Sequence, residues 1–182
     1  YGGFLGATAC AVWLLRRDKF PFWTAADMAG FAIPMGLGFG RMGCLLAGCC
    51  FGAPTQLPWG LSFPPRSPAS DAQAKLGLLH SAKTWSEPVH PTQIYESALS
   101  LLVGAICLYV VLPRKRYDGH VFAASLVLYA LARFACEILR RDDRGGAAGL
   151  STSQLIGLGL IAAAIVIHRI KGRERPLLRQ EA

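Results

Sequence analysis

Charge is scarce in this chain, and acidic charge most of all. Asp, Glu, Lys and Arg make up 16% of its 182 residues, only 11 of them acidic, while 53% are apolar and the mean hydropathy is +0.36. Apolar residues fall in long blocks and not in short amphipathic stretches, which excludes an ordinary soluble domain and reads as a membrane protein. An internal repeat and a second domain are also missing, so residues 1–182 read as one integral membrane domain. No basic segment precedes the first apolar block, Gly2–Leu15, so it is not a signal peptide. That block is too short to cross alone and begins at a tyrosine, and it reads as the remainder of a helix whose beginning is missing. The six cysteines lack any common zinc or iron–sulfur spacing: Cys44 and Cys49 are five apart, Cys49 and Cys50 are adjacent, and Cys10, Cys107 and Cys136 stand alone. They read as small apolar membrane residues, with a disulfide from the Cys49/Cys50 pair left open.

What is present is a series of spans. Blocks at about Ala25–Cys50, Gln93–Leu112, Gly119–Leu139 and Leu150–Ile167 are each near the ~20 residues a helix needs to cross the hydrocarbon. The expected fold is all-α, a polytopic bundle of about five transmembrane helices counting the first, with the proline-rich segment Gly52–Thr92 as an irregular outer loop. Trp59 and Trp85 in that loop suit the membrane interface. The net charge of +8 does not point to nucleic acid, because the basic residues cluster at the ends of apolar blocks. Arg16, Arg17 and Lys19 follow the first block, Arg114, Lys115 and Arg116 the third, and Arg169, Lys171, Arg173 and Arg175 the fifth. By the positive-inside rule these alternate ends are cytoplasmic, as is the C-terminus, and residues 52–92 lie outside.

Two positive charges break the pattern. Arg41 lies in the glycine-rich run Phe31–Phe51 and Arg133 in the apolar run Val121–Leu139. A charge there costs at least about 2.5 kcal/mol, so it faces a protein-lined cavity and has a task. Each stands about six residues from the outer end of its helix, roughly 9 Å below the outer surface at 1.5 Å per residue. Tyr129, Arg133, Glu137 and Arg140 recur at i, i+4, i+8 and i+11 and share one helix face. An internal Arg133–Glu137 ion pair that only holds the bundle together is the structural alternative. Gly40 and Gly43, with Gly36, Gly38, Gly48 and Gly52, surround Arg41; they permit either close helix packing or the approach of an anionic headgroup. His90-Pro91-Thr92-Gln93-Ile94-Tyr95-Glu96 opens the third span at the same interface, where a solvated loop histidine is the favoured reading of His90 alone. Ser151, Ser153 and Gln154 open the last span, where capping competes with ligand contact. Two arginine forks at headgroup depth suit a phosphate, and a phospholipid is the phosphate available there. The residues therefore suggest an enzyme that binds a phospholipid headgroup from the outer side and transfers part of the lipid.

Taken together, Gly40-Arg41-Met42-Gly43, Gly52, Pro58-Trp59-Gly60, the His90–Glu96 run, and Tyr129 to Arg133-Phe134 with Glu137 and Arg140 resemble prolipoprotein diacylglyceryl transferase. The resemblance covers essentially the whole chain and the C-terminal two thirds of a typical member. It implies transfer of the diacylglyceryl group of phosphatidylglycerol to the lipobox cysteine of a preprolipoprotein in the bacterial inner membrane, on the periplasmic side, with release of glycerol 1-phosphate. Arg41 and Arg133 would hold the phosphate, Tyr129 and Glu137 would orient Arg133, and Arg140 would guard the entrance. Gly40, Gly43, Gly52, His90, Gln93, Tyr95, Glu96, Ser153 and Gln154 would line the lipid or peptide path. By the same resemblance the attacking thiol belongs to the substrate, and no metal or dissociable cofactor is required. The chain departs from the family's pattern at Cys44, Ala47 and Cys49, where the signature carries asparagines and an acidic residue, and at Tyr1, which stands in place of a histidine as candidate general base. The rival from another class is a non-catalytic membrane protein that uses Arg41 and Arg133 only to bind headgroups or anions.

Overall fold

The computed structural model describes residues 2–138, 146–147 and 150–173. Among these residues six α-helices follow one another: α1 (Gly2–Arg17), α2 (Phe22–Leu46), α3 (Pro68–Lys75), α4 (Thr92–Ile106), α5 (His120–Ile138) and α6 (Thr152–Lys171). A two-residue antiparallel pair, Gly146–Ala147 with Leu150–Ser151, precedes α6. Among the described residues four helical stretches are long and apolar enough to cross a membrane: Phe22–Leu46, Thr92–Arg114, His120–Ile138 and Thr152–Lys171. The chain is a polytopic helical membrane protein.

The helix ends follow local chemistry. α2 was expected over Ala25–Cys50; it begins after Pro21 and stops at Leu46 because Gly48 turns left-handed at φ +66°, the usual geometry just past a helix end. α4 widens into a π turn at Cys107–Val111 and a 3-10 turn at Leu112–Arg114. Pro113 has no N–H to donate and its ring crowds the preceding turn, which accounts for the change of pitch. The Arg114 guanidinium takes up the Val110 carbonyl released there, at 3.0 Å. α6 starts with a full capping box, Ser151 accepting from the Gln154 N–H and Gln154 accepting from the Ser151 N–H.

Large apolar side chains cover the exterior: Phe39, Leu131, Ile165 and Val166 are exposed, whereas Asp27, Gln93, Glu96, Ser97, Ser100 and Ser125 are buried beside an apolar cluster of Val103, Cys107 and Val121. An apolar exterior around an interior that also holds polar side chains suits a lipid solvent. α2 packs chiefly on α4 and α5 on α6, with α2 also crossing α5. The close approaches run through glycine: a Cβ on Gly38 would meet the Leu101 side chain at 2.6 Å, one on Gly104 would meet Met35 at 2.5 Å, and one on Gly30 would meet the Phe122 backbone at 3.0 Å. The Ser97 hydroxyl donates to the Gly38 carbonyl at 2.8 Å across the α2–α4 seam.

The segment between α2 and α4 is more ordered than its prolines suggest. Ser67 caps α3 by accepting from the Ser70 N–H, and Phe63, Ala69 and Val89 form a small core against Leu45, Phe51 and Leu61. Buried Gln73 exchanges hydrogen bonds with the Glu87 backbone, donating to its carbonyl at 3.2 Å and accepting from its N–H at 2.7 Å. The result is a folded cap seated on the ends of α2 and α4.

Candidate functional site

Arg41 stands five residues before the end of α2 and Arg133 five residues before the end of α5, so both lie about 7.5 Å below the same face of the bundle. α4 runs the opposite way, and Glu96, four residues past its start, arrives at that level. Three separate helices thereby bring their charges together. Arg41 Nε lies 2.6 Å from Glu96 Oε2, and Arg133 Nη1 lies 3.1 Å from Glu96 Oε1. One buried carboxylate thus ties both arginines.

The two arginines are not equivalent. Arg133 also donates to the Ser153 hydroxyl at 2.9 Å and pairs with Glu137 Oε2 at 2.8 Å. That last contact is an ion pair without a directed hydrogen bond, since Glu137 Oε2 is buried with no hydrogen-bond partner among the described residues. Ringed by Glu96, Ser153 and Glu137, the Arg133 side chain is only 12% exposed, against 25% for Arg41. Beyond Glu96, the partner described for Arg41 is the Cys44 sulfur, 4.0 Å from Nη1 and hence weak. Two arginines and two carboxylates sum to no net charge, but an entering anion meets Arg41 first because Glu96 is 6% exposed. A cleft joins them, lined by Leu37, Arg41, Glu96, Leu99, Ser100, Tyr129, Ala132, Arg133 and Cys136. Tyr129 supplies wall to this cleft; among the described residues the side chains bound to Arg133 are Glu96, Ser153 and Glu137.

The remaining expected residues sort by place. Gly40 and Gly43 face open space, with nothing within 4 Å of a built Cβ, in contrast to the packing glycines Gly30 and Gly38 of the same helix. Gly52 donates its N–H to the His90 carbonyl at 2.9 Å, and the His90 N–H donates to the Ala53 carbonyl at 2.9 Å. His90 lies at the seam between cap and α4 and its buried Nδ1 has no hydrogen-bond partner among the described residues. Gln93, fully buried, donates to the Cys49 carbonyl at 2.7 Å, and Thr92 donates to the Cys50 carbonyl at 2.7 Å. Tyr95 accepts from the Trp59 indole at 2.8 Å and so anchors the cap. Gln154 is engaged in the α6 cap, while its neighbour Ser153 reaches Arg133. Tyr1 and Arg140 lie outside the described residues.

Two features escaped the sequence reading. Glu96 was expected on the substrate path, and its part as the carboxylate common to both arginines depends on the register of α4 between α2 and α5; a buried acid at arginine depth was the available signal. The second is the convergence of Cys44, Cys49 and Cys50, whose sulfurs all lie within 4.8 Å of one another. Spacing alone concealed it because the turn that gathers them passes through left-handed backbone at Gly48 and at Cys50, φ +66° and +61°.

A sequence model of the family described as prolipoprotein diacylglyceryl transferase matches residues 1–170. The chain is 34% identical over 176 residues to phosphatidylglycerol–prolipoprotein diacylglyceryl transferase 2 of Clostridium perfringens, covering 95% of this chain and 61% of that protein. It is 35% identical over 173 residues to the phosphatidylglycerol–prolipoprotein diacylglyceryl transferase of Clostridium tetani, covering 93% and 62%. The protein of that name from Stenotrophomonas maltophilia is 34% identical over 193 residues, covering 100% and 63%. The chain therefore spans about three fifths of the length of these curated relatives.

Proposed function

This chain belongs to the prolipoprotein diacylglyceryl transferase family, and from that membership we propose that it transfers the diacylglyceryl group of phosphatidylglycerol to the lipobox cysteine of a prolipoprotein, releasing glycerol 1-phosphate. The family and its four apolar helices make it a multi-pass protein of the bacterial inner membrane. The observation that carries the reading is the meeting of Arg41 and Arg133 on Glu96, at one depth, beside an open cleft.

The chemistry suits that geometry. The substrate sulfur forms a bond to the glyceryl carbon, the bond from that carbon to the phosphate oxygen breaks, and the electron pair leaves with the phosphate. The thiol proton passes to a base, for which Tyr1 is the candidate at the family's histidine position. Charge grows on the leaving phosphate, where Arg41, the more accessible fork, offers donors. Arg133 is held by Glu96, Ser153 and Glu137 and presents its remaining surface to the same cleft, with Tyr129 forming the wall. Open Gly40 and Gly43 leave the lipid a path along α2 to Arg41, and Arg140 is assigned to the entrance. The alternation of basic clusters supports an arginine site toward the periplasm and a cytoplasmic C-terminus. Residues 1–182 act in this reading as one membrane domain.

The test is mass spectrometry of a lipobox peptide incubated with the full-length protein in phosphatidylglycerol vesicles, beside an Arg41→Ala control. A diacylglyceryl thioether that depends on Arg41 is expected. A folded protein that retains phosphatidylglycerol yet forms no thioether would be a headgroup binder and would end the transferase reading.

A further inference from the structure

The thiol turn above α2 takes no part in the reaction as derived, yet it is built with unusual care. Cys44 lies in the last turn of α2, and the Cys49 N–H returns to its carbonyl at 3.1 Å. Cys50 sits at φ +61°, a conformation that disfavours any side chain and persists only where its surroundings impose it. Here two buried residues impose it: Gln93 grips the Cys49 carbonyl and Thr92 the Cys50 carbonyl. The fold thus brings three sulfurs within 4.8 Å of one another at half-buried positions.

Three thiolates at bond lengths of about 2.3 Å from one ion stand about 4 Å apart, a small contraction from the separation observed. Thiolates are soft donors and select thiophilic d10 ions over hard cations. We propose that Cys44, Cys49 and Cys50 form a three-sulfur site for such a cation, Cu(I) foremost. Binding forms three metal–sulfur bonds and releases the thiol protons to solvent, with no change of oxidation state, so affinity rises with pH. Because Arg41 Nη1 lies 4.0 Å from the Cys44 sulfur, the anionic metal–thiolate group would stand beside the arginine and compete with a phosphate. That last consequence, unlike the site, rests on the transferase reading.

The full-length protein, reduced and kept anaerobic in detergent, is titrated with Cu(I) supplied as its acetonitrile complex against a chromophoric chelator. The expected result is a single retained equivalent. Maleimide labelling of Cys44, Cys49 and Cys50 should then slow about tenfold or more, while exposed Cys10 labels as before. Cys49→Ser and Cys50→Ser should each weaken binding about tenfold or more, and Cys10→Ser should not. The labelling readout uses the unaltered protein, so it stands even if a variant misfolds. Failure to retain the ion, unchanged labelling, or a disulfide within the trio in protein alkylated directly in membranes would overturn the site. Retention and labelling are read without turnover, so a protein that binds Cu(I) and transfers nothing supports the site while counting against the transferase.

Discussion

At opposite ends of the same bundle the chain buries two carboxylates and surrounds them differently. Near the end where α2 begins, Asp27, 2% exposed, accepts from the backbone N–H groups of Gly119 at 2.9 Å and Phe122 at 3.1 Å and pairs with Lys115 at 3.0 Å. Gly119 is at φ +98°, and a Cβ there would strike the Trp23 ring at 2.7 Å, so the backbone is fixed where Asp27 needs it. Near the other end Glu96 is held by two side-chain forks beside a cleft. Backbone donors cannot be redirected, whereas a guanidinium with donors in reserve can share itself between a carboxylate and an incoming phosphate. Asp27 makes a fixed joint; Glu96 holds side chains that keep donors in reserve.

The largest effect that would test this contrast is on stability. Glu96→Ala leaves two arginines without their common partner and should cost about 3–5 kcal/mol, read from unfolding in detergent. A loss no greater than that of a surface substitution would show that the arginines are anchored elsewhere. Next, Arg41→Lys should lower transfer by about a hundredfold or more, about 2.7–4 kcal/mol in the barrier, with unfolding little changed, because the fork is lost while the charge stays. Normal turnover in that variant would reduce the Arg41–Glu96 contact to an ion pair like that of Asp27. Asp27→Asn should cost about 1–3 kcal/mol of stability by turning an amide group toward backbone donors, with the turnover of the folded fraction intact.

The smallest expected effect separates the two ends by pH. Burial lowers the Lys115 pKa, but the hydrogen bonds and charges of Asp118 and Asp27 outweigh it and hold the ammonium above its ordinary 10.5. A raised value means that this contribution is full below pH 10.5 and is lost as pH rises through the folded value, a range in which arginine stays charged. The melting temperature should therefore fall more steeply above pH 10.5 in the wild type than in Lys115→Met, which shares the titration of Cys49. Parallel curves would remove Lys115 from the Asp27 joint.

The spans and the depth of Arg41 and Arg133 were legible because a charge inside an apolar run, counted from a helix end, fixes a height in the membrane. Partners were less so. The i, i+4 rule gave Glu137 to Arg133, whereas Glu96 comes from another helix and its choice is decided by how α4 is rotated against α2 and α5. Glycine spacing suggested both packing and ligand access, and the structure divides them by face: Gly30 and Gly38 inward, Gly40 and Gly43 outward. The cap around Phe63, Ala69 and Val89 had no periodicity to show, because its core is assembled from isolated apolar residues far apart in sequence. Asp27 was passed over because its donors are backbone N–H groups some ninety residues on, which carry no sequence signature.

The first turn of α4 has a mechanical meaning. Thr92 and Gln93 grip the cap through the Cys50 and Cys49 carbonyls, and Glu96, one turn further along the same rod, grips both arginines. No hinge separates these handholds, since residues 92–96 are continuous helix. A shift of the cap that carries the first turn of α4 with it therefore also carries the carboxylate on which both guanidinium groups rest.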